Sequence, residues 1–145
     1  EKYLLILSHQ FGRQVNLNIS FDPELGNIPV PQLILQPIVE NCVRHGYYAD
    51  GRTLTVTVMA QTENGVLEIS VVDNGRGITA DKLKQLQSSI ELKECIEADD
   101  GNHIGLSNVH RRIALHYGQQ YGLRIWSVPW KGTTVKIRLP LPKEI

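Results

Sequence analysis

The strongest constraint on the fold is a predicted β-hairpin centred on Asn64-Gly65. Both residues tolerate positive φ, and such a pair between two alternating segments is the strongest short-range signal for a hairpin. Apolar and polar residues alternate over 54–60, and residues 66–72 form the return strand. This return strand leads directly into Asp73-Asn74-Gly75-Arg76-Gly77. The sequence therefore predicts an antiparallel pair that delivers an aspartate and two glycines to a loop.

The rest of the chain predicts strands at both ends and helices between them. Three further segments have the period of two that is typical of half-buried strands: 15–21, 123–128 and 133–139. Three segments have the spacing of amphipathic helices: 32–45, 80–86 and 104–117. This order predicts an α/β (α+β) two-layer sandwich, in which about three helices cover one face of a mixed, mainly antiparallel five-stranded sheet.

Composition restricts the class of protein. The chain has 145 residues, with 15 Lys and Arg against 15 Asp and Glu. That length corresponds to one domain, and a net charge of zero argues against a nucleic-acid-binding domain, which should carry a basic stripe. Cys42 and Cys95 stand alone without a CxxC pair, which favours a reducing compartment and argues against a zinc site. No apolar run approaches the ~20 residues of a membrane span.

Two segments are expected to lie outside the compact core. The first residue is not Met, so we expect a fragment of a longer protein, and the apolar residues of 1–12 predict the end of a connecting helix from a missing upstream domain. A short core helix is the alternative. The domain proper would then span 13–145. Residues 88–103 are polar, acidic and weakly periodic, which predicts a mobile loop of the kind that is often functional.

The helix predicted over 32–45 has two different faces. Leu35, Ile38, Val39 and Cys42 form its apolar stripe, and Gly46 closes it. Pro37 predicts either a kink or a fresh helix that begins there.

The opposite face of this helix carries four chemically active side chains: Glu40, Asn41, Arg44 and His45. The carboxamide oxygen of Asn41 is a hard neutral ligand that suits Mg²⁺, and Arg44 would neutralise phosphate charge. The alternative is an ordinary ion pair between Glu40 and Arg44 on a solvated face.

Three loops offer further candidate sites. Asp73 leaves an apolar strand, so its carboxylate should be partly buried and able to accept a hydrogen bond from an exocyclic amine such as that of adenine; an Asx turn is the alternative. Residues 101–109 place glycines at the start of a helix, where free N–H groups suit phosphate; a plain loop-to-helix turn is the alternative. Residues 131–134 precede the last strand, and alone they indicate only a hairpin turn.

Taken in this order, the four sites resemble the GHKL ATP-binding fold. More closely, they resemble the catalytic ATP-binding domain of bacterial sensor histidine kinases in the LytS/YesM-like branch. Residues 31–46 are similar to the N box of that branch, which also carries a proline at the place of Pro37. Residues 73–78 resemble its G1 box, residues 104–109 with Arg112 and Ile113 its G2 box, and residues 132–135 its last box.

The resemblance implies a role for each candidate residue. Asn41 would bind Mg²⁺, and Asp73 would bind the adenine amine. The position of Glu40 beside Asn41 makes it a candidate general base for the incoming histidine. Arg44 and His45 would face the phosphates. The resemblance also implies a larger set of residues that contact ATP or anchor a lid over 88–103: Gly75, Gly77, Ile78, Gly101, His103, Ile104, Gly105, Leu106 and Thr133.

The activity that this resemblance implies is histidine phosphorylation. The γ-phosphate of Mg-ATP would pass to a histidine on a separate domain and then to an aspartate of a response regulator. The full-length protein is expected to be a homodimer, with this domain on the cytoplasmic side of a membrane-anchored sensor. The expected partners are therefore ATP, the phosphoacceptor domain and the regulator, and nucleic acid is not among them.

The sequence also departs from the family pattern and leaves alternatives open. His103 stands where G2 boxes often have glycine, and none of the five histidines lies between Pro and Phe, as the phosphoacceptor of this branch does. One alternative is an ATPase or serine kinase of the same superfamily, although such enzymes carry a glutamate at the place of Pro37. Another is a scaffold that no longer binds nucleotide. A dinucleotide-binding domain is excluded, because Gly75 and Gly77 lack the third glycine and do not open a βαβ unit.

Overall fold

The computed structural model of the chain describes residues 12, 14–91 and 104–142. In chain order, the elements are β1 (Val15–Phe21), α1 (Leu35–His45), β2 (Leu54–Glu63), β3 (Val66–Asp73), α2 (Ala80–Glu91), α3 (Ile104–Tyr117), β4 (Gly122–Val128) and β5 (Gly132–Pro140). A short 3-10 turn, Pro23–Asn27, lies between β1 and α1. The connecting helix expected over 1–12 falls almost entirely outside the described residues.

The five strands form one sheet in the order β1-β2-β3-β5-β4. β1 runs parallel to β2, and the three other pairs are antiparallel. The hairpin forms as predicted, since Glu63 pairs with Val66 and both turn residues adopt positive φ, 50° at Asn64 and 76° at Gly65. The sheet is therefore mixed and mainly antiparallel, as the sequence predicts.

The hydrophobic core lies between one face of this sheet and the three helices. Alternate strand residues supply the sheet side of the core: Leu54, Val56, Leu67, Ile69, Val71, Leu123, Ile125, Val135, Ile137 and Leu139. The helices supply the other side, with Ile38, Val43, Leu86 and Ile113 almost completely buried. The two-layer α/β sandwich is thus confirmed. Among the described helices, none is both long and apolar enough to cross a membrane.

α1 begins at Leu35, so the prediction that it starts at residue 32 is wrong. Leu33 adopts φ +63°, which belongs to the left-handed region and is incompatible with a continuing right-handed helix. Pro37 consequently lies in the first turn, where backbone N–H groups have no acceptor within the helix. The helix therefore accommodates this proline without losing a hydrogen bond. Of the two expectations, a helix that begins near Pro37 agrees better with the structure than a kinked helix does.

α2 is longer than predicted, because it runs to Glu91 instead of ending near Leu86. Residues 88–91, which the sequence analysis assigns to the loop and lid, form its last turn. Ile90 is buried one turn after Leu86, and Ser89 Oγ lies 3.2 Å from Ser107 Oγ of α3. The apolar contact and the hydroxyl pair explain why a mainly polar segment stays helical.

His110 joins α3 to the edge strand β4. Its Nδ1 atom accepts a hydrogen bond of 3.0 Å from the backbone N–H of Leu123. Gly122 has φ +138°, and a Cβ atom there would lie 2.5 Å from His110 Nδ1, so only glycine allows the imidazole this close. Burial lowers the pKa of His110 below its ordinary value. A ring nitrogen that accepts an N–H bond is unprotonated, so the contact with Leu123 requires Nδ1 to carry no proton. The folded protein therefore favours the neutral imidazole.

We expect His110 to make the fold less stable in mild acid. Well above about pH 6.5, the ordinary pKa of histidine, the imidazole is neutral in both states. Below it the unfolded chain binds a proton that the folded chain does not, so the free energy of unfolding falls as the pH drops. His110→Asn keeps an acceptor for Leu123 and cannot be protonated. Thermal unfolding between pH 8 and 5.5 should show a steeper loss for the parent than for the variant, and equal slopes would contradict this account.

Candidate functional site

Asp73 is the buried charged group around which the site is built. It ends β3 with 5% of its surface exposed, and it is the single buried polar or charged residue of the described core. Its Oδ1 atom accepts a 2.8 Å hydrogen bond from the N–H of Gly75. The Cys42 thiol of α1 and the backbone N–H of Thr133 in β5 donate to the same carboxyl group. The carboxylate is therefore fixed from its own loop, from α1 and from β5.

Burial controls the titration of this pair of groups. Loss of solvent raises the pKa of the Asp73 carboxyl, and the three hydrogen bonds offset only part of that rise. Burial also raises the pKa of the Cys42 thiol well above its usual value, and the neighbouring Asp73 charge raises it further. Cys42 is thus a protonated donor, and Asp73 is a carboxylate whose remaining acceptor positions suit an amine ligand.

Two glycines bring the end of α1 against the loop after β3. A Cβ atom on Gly75 would lie 2.4 Å from the Cα atom of Gly46 and 2.7 Å from Asp73 Oδ1. The N–H of Arg76 donates to the carbonyl of Gly46 at 3.0 Å, and Arg76 Nε donates to the carbonyl of His45 at 2.9 Å. The absence of a side chain at Gly75 is therefore needed for backbone packing as well as for any ligand.

The far end of the same loop is held by the β4–β5 turn. Gly77 has φ +68°, and a Cβ atom there would lie 2.2 Å from the carbonyl oxygen of Val128. The N–H of Ile78 donates to Ser127 Oγ at 2.8 Å, and Ser127 Oγ lies 2.9 Å from Thr133 Oγ1. Thr133 is therefore beside Asp73 in the sheet and also linked to Ile78, which brings three of the predicted residues together.

The polar face of α1 forms the second part of the site. Glu40, Asn41 and His45 are half-buried, and Arg44 is exposed. Glu40 accepts a hydrogen bond of 3.3 Å from Gln36 Nε2. Within the described part of the chain, Glu40 and Arg44 form no ion pair, so the alternative of a simple surface pair is wrong.

The start of α3 approaches this face of α1. A Cβ atom on Gly105 would lie 3.8 Å from the Cβ atom of Pro37. Pro37 and Asn41 are four residues apart and share one face of α1, so the first turn of α3 lies on the Asn41 side. Helix N-termini carry free N–H groups that suit anions. The described start of α3 and the predicted magnesium ligand Asn41 thus lie on the same side of α1.

The other predicted site residues lie at the start of α3 or just before it. The side chain of Leu106 is 4% exposed in the core, so only its backbone, at the start of α3, is available to a ligand. Its role in holding the phosphates and anchoring the lid stays a prediction. Ile104 begins α3, but its side chain is outside the described atoms. Gly101 and His103 lie outside the described residues, and their proposed roles stay predictions.

Sequence reasoning missed four residues that shape the site. The sequence predicts only an apolar stripe for Cys42, a helix end for Gly46 and a strand position for Ser127, and it predicts no role for Tyr48. Cys42 has the helical spacing of an ordinary core residue, so its position alone does not mark it as part of a site. Gly46, Tyr48 and Ser127 contact segments that are distant in the chain. The one local signal in the sequence is a glycine at position 46, directly after the polar face of α1, which indicates a close backbone approach.

Residues 26–143 match the family described as histidine kinase-, DNA gyrase B- and HSP90-like ATPase. The chain belongs to this family. The ATPase domain is 30% identical to the sensor histidine kinase YesM of Bacillus subtilis over 143 residues, and 27% identical to the sensor protein kinase HptS of Staphylococcus aureus over the same length. Each match covers 99% of the domain but only 22% and 26% of those proteins, so the chain spans about a quarter of these curated relatives.

Solved structures confirm the fold of the ATPase domain. The histidine kinase domain of a blue-light activated histidine kinase from Erythrobacter litoralis matches with a TM-score of 0.61 and 24% identity, covering 94% of the domain and 56% of that chain. The catalytic domain of the histidine kinase ThkA matches with a TM-score of 0.66 and 15% identity, covering 96% and 88% of the two chains. The sandwich is therefore that of histidine kinase catalytic domains.

A pair of glycine substitutions tests the backbone packing of the site. Gly75→Ala places a methyl group against the backbone of Gly46. Because a backbone cannot rotate away as a side chain can, we expect the free energy of unfolding to fall by about 1–3 kcal/mol. Gly105→Ala is the control, since its methyl group meets only an ordinary contact and alanine favours a helix by about 0.5–1 kcal/mol. Urea unfolding of both variants checks this, and a Gly75→Ala domain as stable as the parent would refute the close packing.

Proposed function

We propose that this ATPase domain is the catalytic part of a two-component sensor histidine kinase, which binds Mg-ATP and phosphorylates a histidine on another domain. The observation that carries the proposal is the buried Asp73 carboxylate at the end of β3, which is held by three donors and is followed by two glycines. The family and its histidine kinase relatives support the same activity.

Adenine recognition follows from the chemistry of Asp73. A carboxylate with a fixed orientation and a free acceptor position selects a ligand that offers an N–H group, such as the exocyclic amine of adenine. The low solvent exposure strengthens that bond, because water does not compete for the oxygen. Gly77 and Ile78, on the same loop, would pack against the base, with Thr133 beside the carboxylate.

The phosphates would lie along the polar face of α1 toward α3. The described residues contain no group of three or more His, Cys, Asp or Glu side chains that could hold a metal ion. That suits Mg²⁺ bound through the single carboxamide oxygen of Asn41, since this ion takes most of its ligands from phosphate and water. When bound, Mg²⁺ would neutralise phosphate charge. Arg44, His45 and the first turn of α3, with Gly105, would hold the phosphate oxygens.

Phosphoryl transfer asks the domain mainly for positioning and charge neutralisation. A nitrogen of the incoming histidine would form a bond to the γ-phosphorus as the bond to the β–γ bridging oxygen breaks, and ADP would leave. Glu40 would accept the proton that the imidazole loses. We propose that the phosphate then passes to an aspartate of a response regulator, and that the full-length protein is a dimeric, membrane-anchored sensor with this domain in the cytoplasm.

Two alternatives to a histidine kinase are an ATPase or serine kinase of the same fold, and a scaffold that binds no nucleotide. An ATPase or serine kinase needs a base to activate water or a hydroxyl, and Pro37 occupies the place where related enzymes carry a glutamate. A scaffold that binds no nucleotide would show no rise in melting temperature with ADP or ATP, whereas a ligand that binds only the folded state must raise it.

Asp73→Asn tests the adenine contact. The amide cannot accept as the carboxylate does, and loss of a hydrogen bond to a charged group weakens ADP binding by about tenfold to 150-fold. Because three donors converge on the buried carboxylate, thermal melting of the nucleotide-free variant at pH 7 checks that the fold is kept. Calorimetric titration measures the affinity, with the exposed Glu24→Gln as control. An unchanged dissociation constant would remove Asp73 from the site.

Asn41→Ala tests the metal assignment. Removal of the carboxamide oxygen should abolish the increase in ATP affinity that Mg²⁺ gives to the parent, while binding without metal should change little. Titrations with ATP in Mg²⁺ and in a chelator measure that increase, and Asn16→Ala in the exposed strand β1 is the control. An equal response to Mg²⁺ in the variant and the parent would exclude Asn41 as a ligand.

A further inference from the structure

Tyr48 connects three segments that meet behind the candidate adenine loop. It lies in the connection between α1 and β2, and its hydroxyl group is 3.0 Å from the carbonyl oxygen of Gly75 and 3.0 Å from that of Trp130. A phenol has one proton, so the two carbonyls share it in a three-centre bond. The N–H of Trp130 in turn donates to the carbonyl of Arg76 at 2.7 Å. The β4–β5 turn and the loop after β3 are thus tied together through one hydroxyl.

The ring of Tyr48 is itself restrained. It stacks with the indole of Trp130 at a centroid distance of 6.2 Å and an interplanar angle of 30°. The guanidinium carbon of Arg52 lies 3.8 Å from the centre of the Tyr48 ring, and Arg52 Nε is paired with Asp50 at 2.8 Å. These contacts limit the directions in which the hydroxyl can point. The bridge is therefore an ordered feature although it lies near the surface.

Gly75 is held on both of its backbone groups. Its carbonyl accepts from Tyr48, and its N–H donates to Asp73 Oδ1 at 2.8 Å. Any shift of Gly75 thus changes the donor that orients the carboxylate. Resting on the function proposed above, we infer that Tyr48 is a positioning residue for adenine recognition, which acts on Asp73 through Gly75 and touches no part of the nucleotide.

The neighbouring tyrosine provides a matched comparison. The hydroxyl of Tyr47 also lies 3.0 Å from a backbone carbonyl, that of Gln14, just before β1. Tyr47→Phe and Tyr48→Phe therefore remove the same atom and the same type of bond from adjacent positions. Of these two hydroxyl-to-carbonyl bonds, the one made by Tyr48 reaches the loop that carries Asp73.

The experiment compares these variants for ligands that contain or lack the base. Isothermal titration of the full chain with ADP, adenosine and pyrophosphate, each with Mg²⁺, measures the affinities, and thermal melting checks the fold. For Tyr48→Phe we expect the dissociation constants of ADP and adenosine to rise by about threefold to tenfold, the effect of one ordinary hydrogen bond. Pyrophosphate should bind as it does to the parent, and Tyr47→Phe should leave all three affinities unchanged.

A second variant keeps the test decisive if Tyr48→Phe folds poorly. Arg52→Gln changes a side chain that is 62% exposed and removes the cation from the Tyr48 ring. We expect a smaller rise of about twofold in the dissociation constants of ADP and adenosine, with pyrophosphate unchanged.

The outcomes are distinct. A parent chain that binds no adenosine nucleotide refutes the proposed function and this inference with it. If the parent binds ADP but Tyr48→Phe and Arg52→Gln bind it with the same affinity as the parent, the inference is overturned and the proposed function stands. A loss of pyrophosphate binding equal to that of ADP, or an equal effect of Tyr47→Phe, also overturns it, because a general loosening of the fold would then explain the result.

Discussion

The structure depends on a carboxylate that is kept out of water. Asp73 sits at the end of a central strand, where its partners across the sheet are Thr133 and the fully buried Val56. Burial of a charge is unfavourable unless donors surround it, and the Gly75 N–H, the Thr133 N–H and the Cys42 thiol are those donors. Each donor belongs to a different segment, so the requirement to solvate one carboxylate also fixes the relative positions of the loop, α1 and β5.

Close backbone contact makes the end of α1 and the loop after β3 one unit. Gly46 and Gly75 approach so closely that a methyl group on Gly75 would overlap the backbone of Gly46. The helix that presents Asn41 and the strand that presents Asp73 are therefore joined with little freedom between them. A ligand that needs both groups meets them already arranged, and less binding energy is spent on ordering the protein.

The hairpin, the five strands and α3 could be predicted from the sequence because their signals are local. Alternation, an Asn-Gly turn and helical spacing depend on neighbours within a few residues. The start of α1 could not be predicted, since nothing local shows that Leu33 adopts a left-handed conformation. The length of α2 was hidden by its polar composition, which outweighed the spacing of Leu86 and Ile90.

The candidate site divides in the same way. The residue types of the candidate nucleotide site are visible in the sequence, and the resemblance to a known family orders them along the chain. The supports were not visible, because they join distant positions: Tyr48 contacts residues 27 and 82 positions later, and Ser127 contacts Ile78 across 49. Such pairings follow from the strand order of the sheet, which no short window of sequence contains.

The register of the central hairpin separates its turn from the chemistry. Val66 and Asp73 stand at opposite ends of β3, seven residues apart, which at the rise of a strand is about 23 Å. The exposed Asn64-Gly65 tip therefore lies at the opposite end of the sheet from the candidate site. A fluorescent dye or an inserted epitope at this tip would report on the domain without obstructing ligand entry. Natural variation in hairpin length would be tolerated there for the same geometric reason.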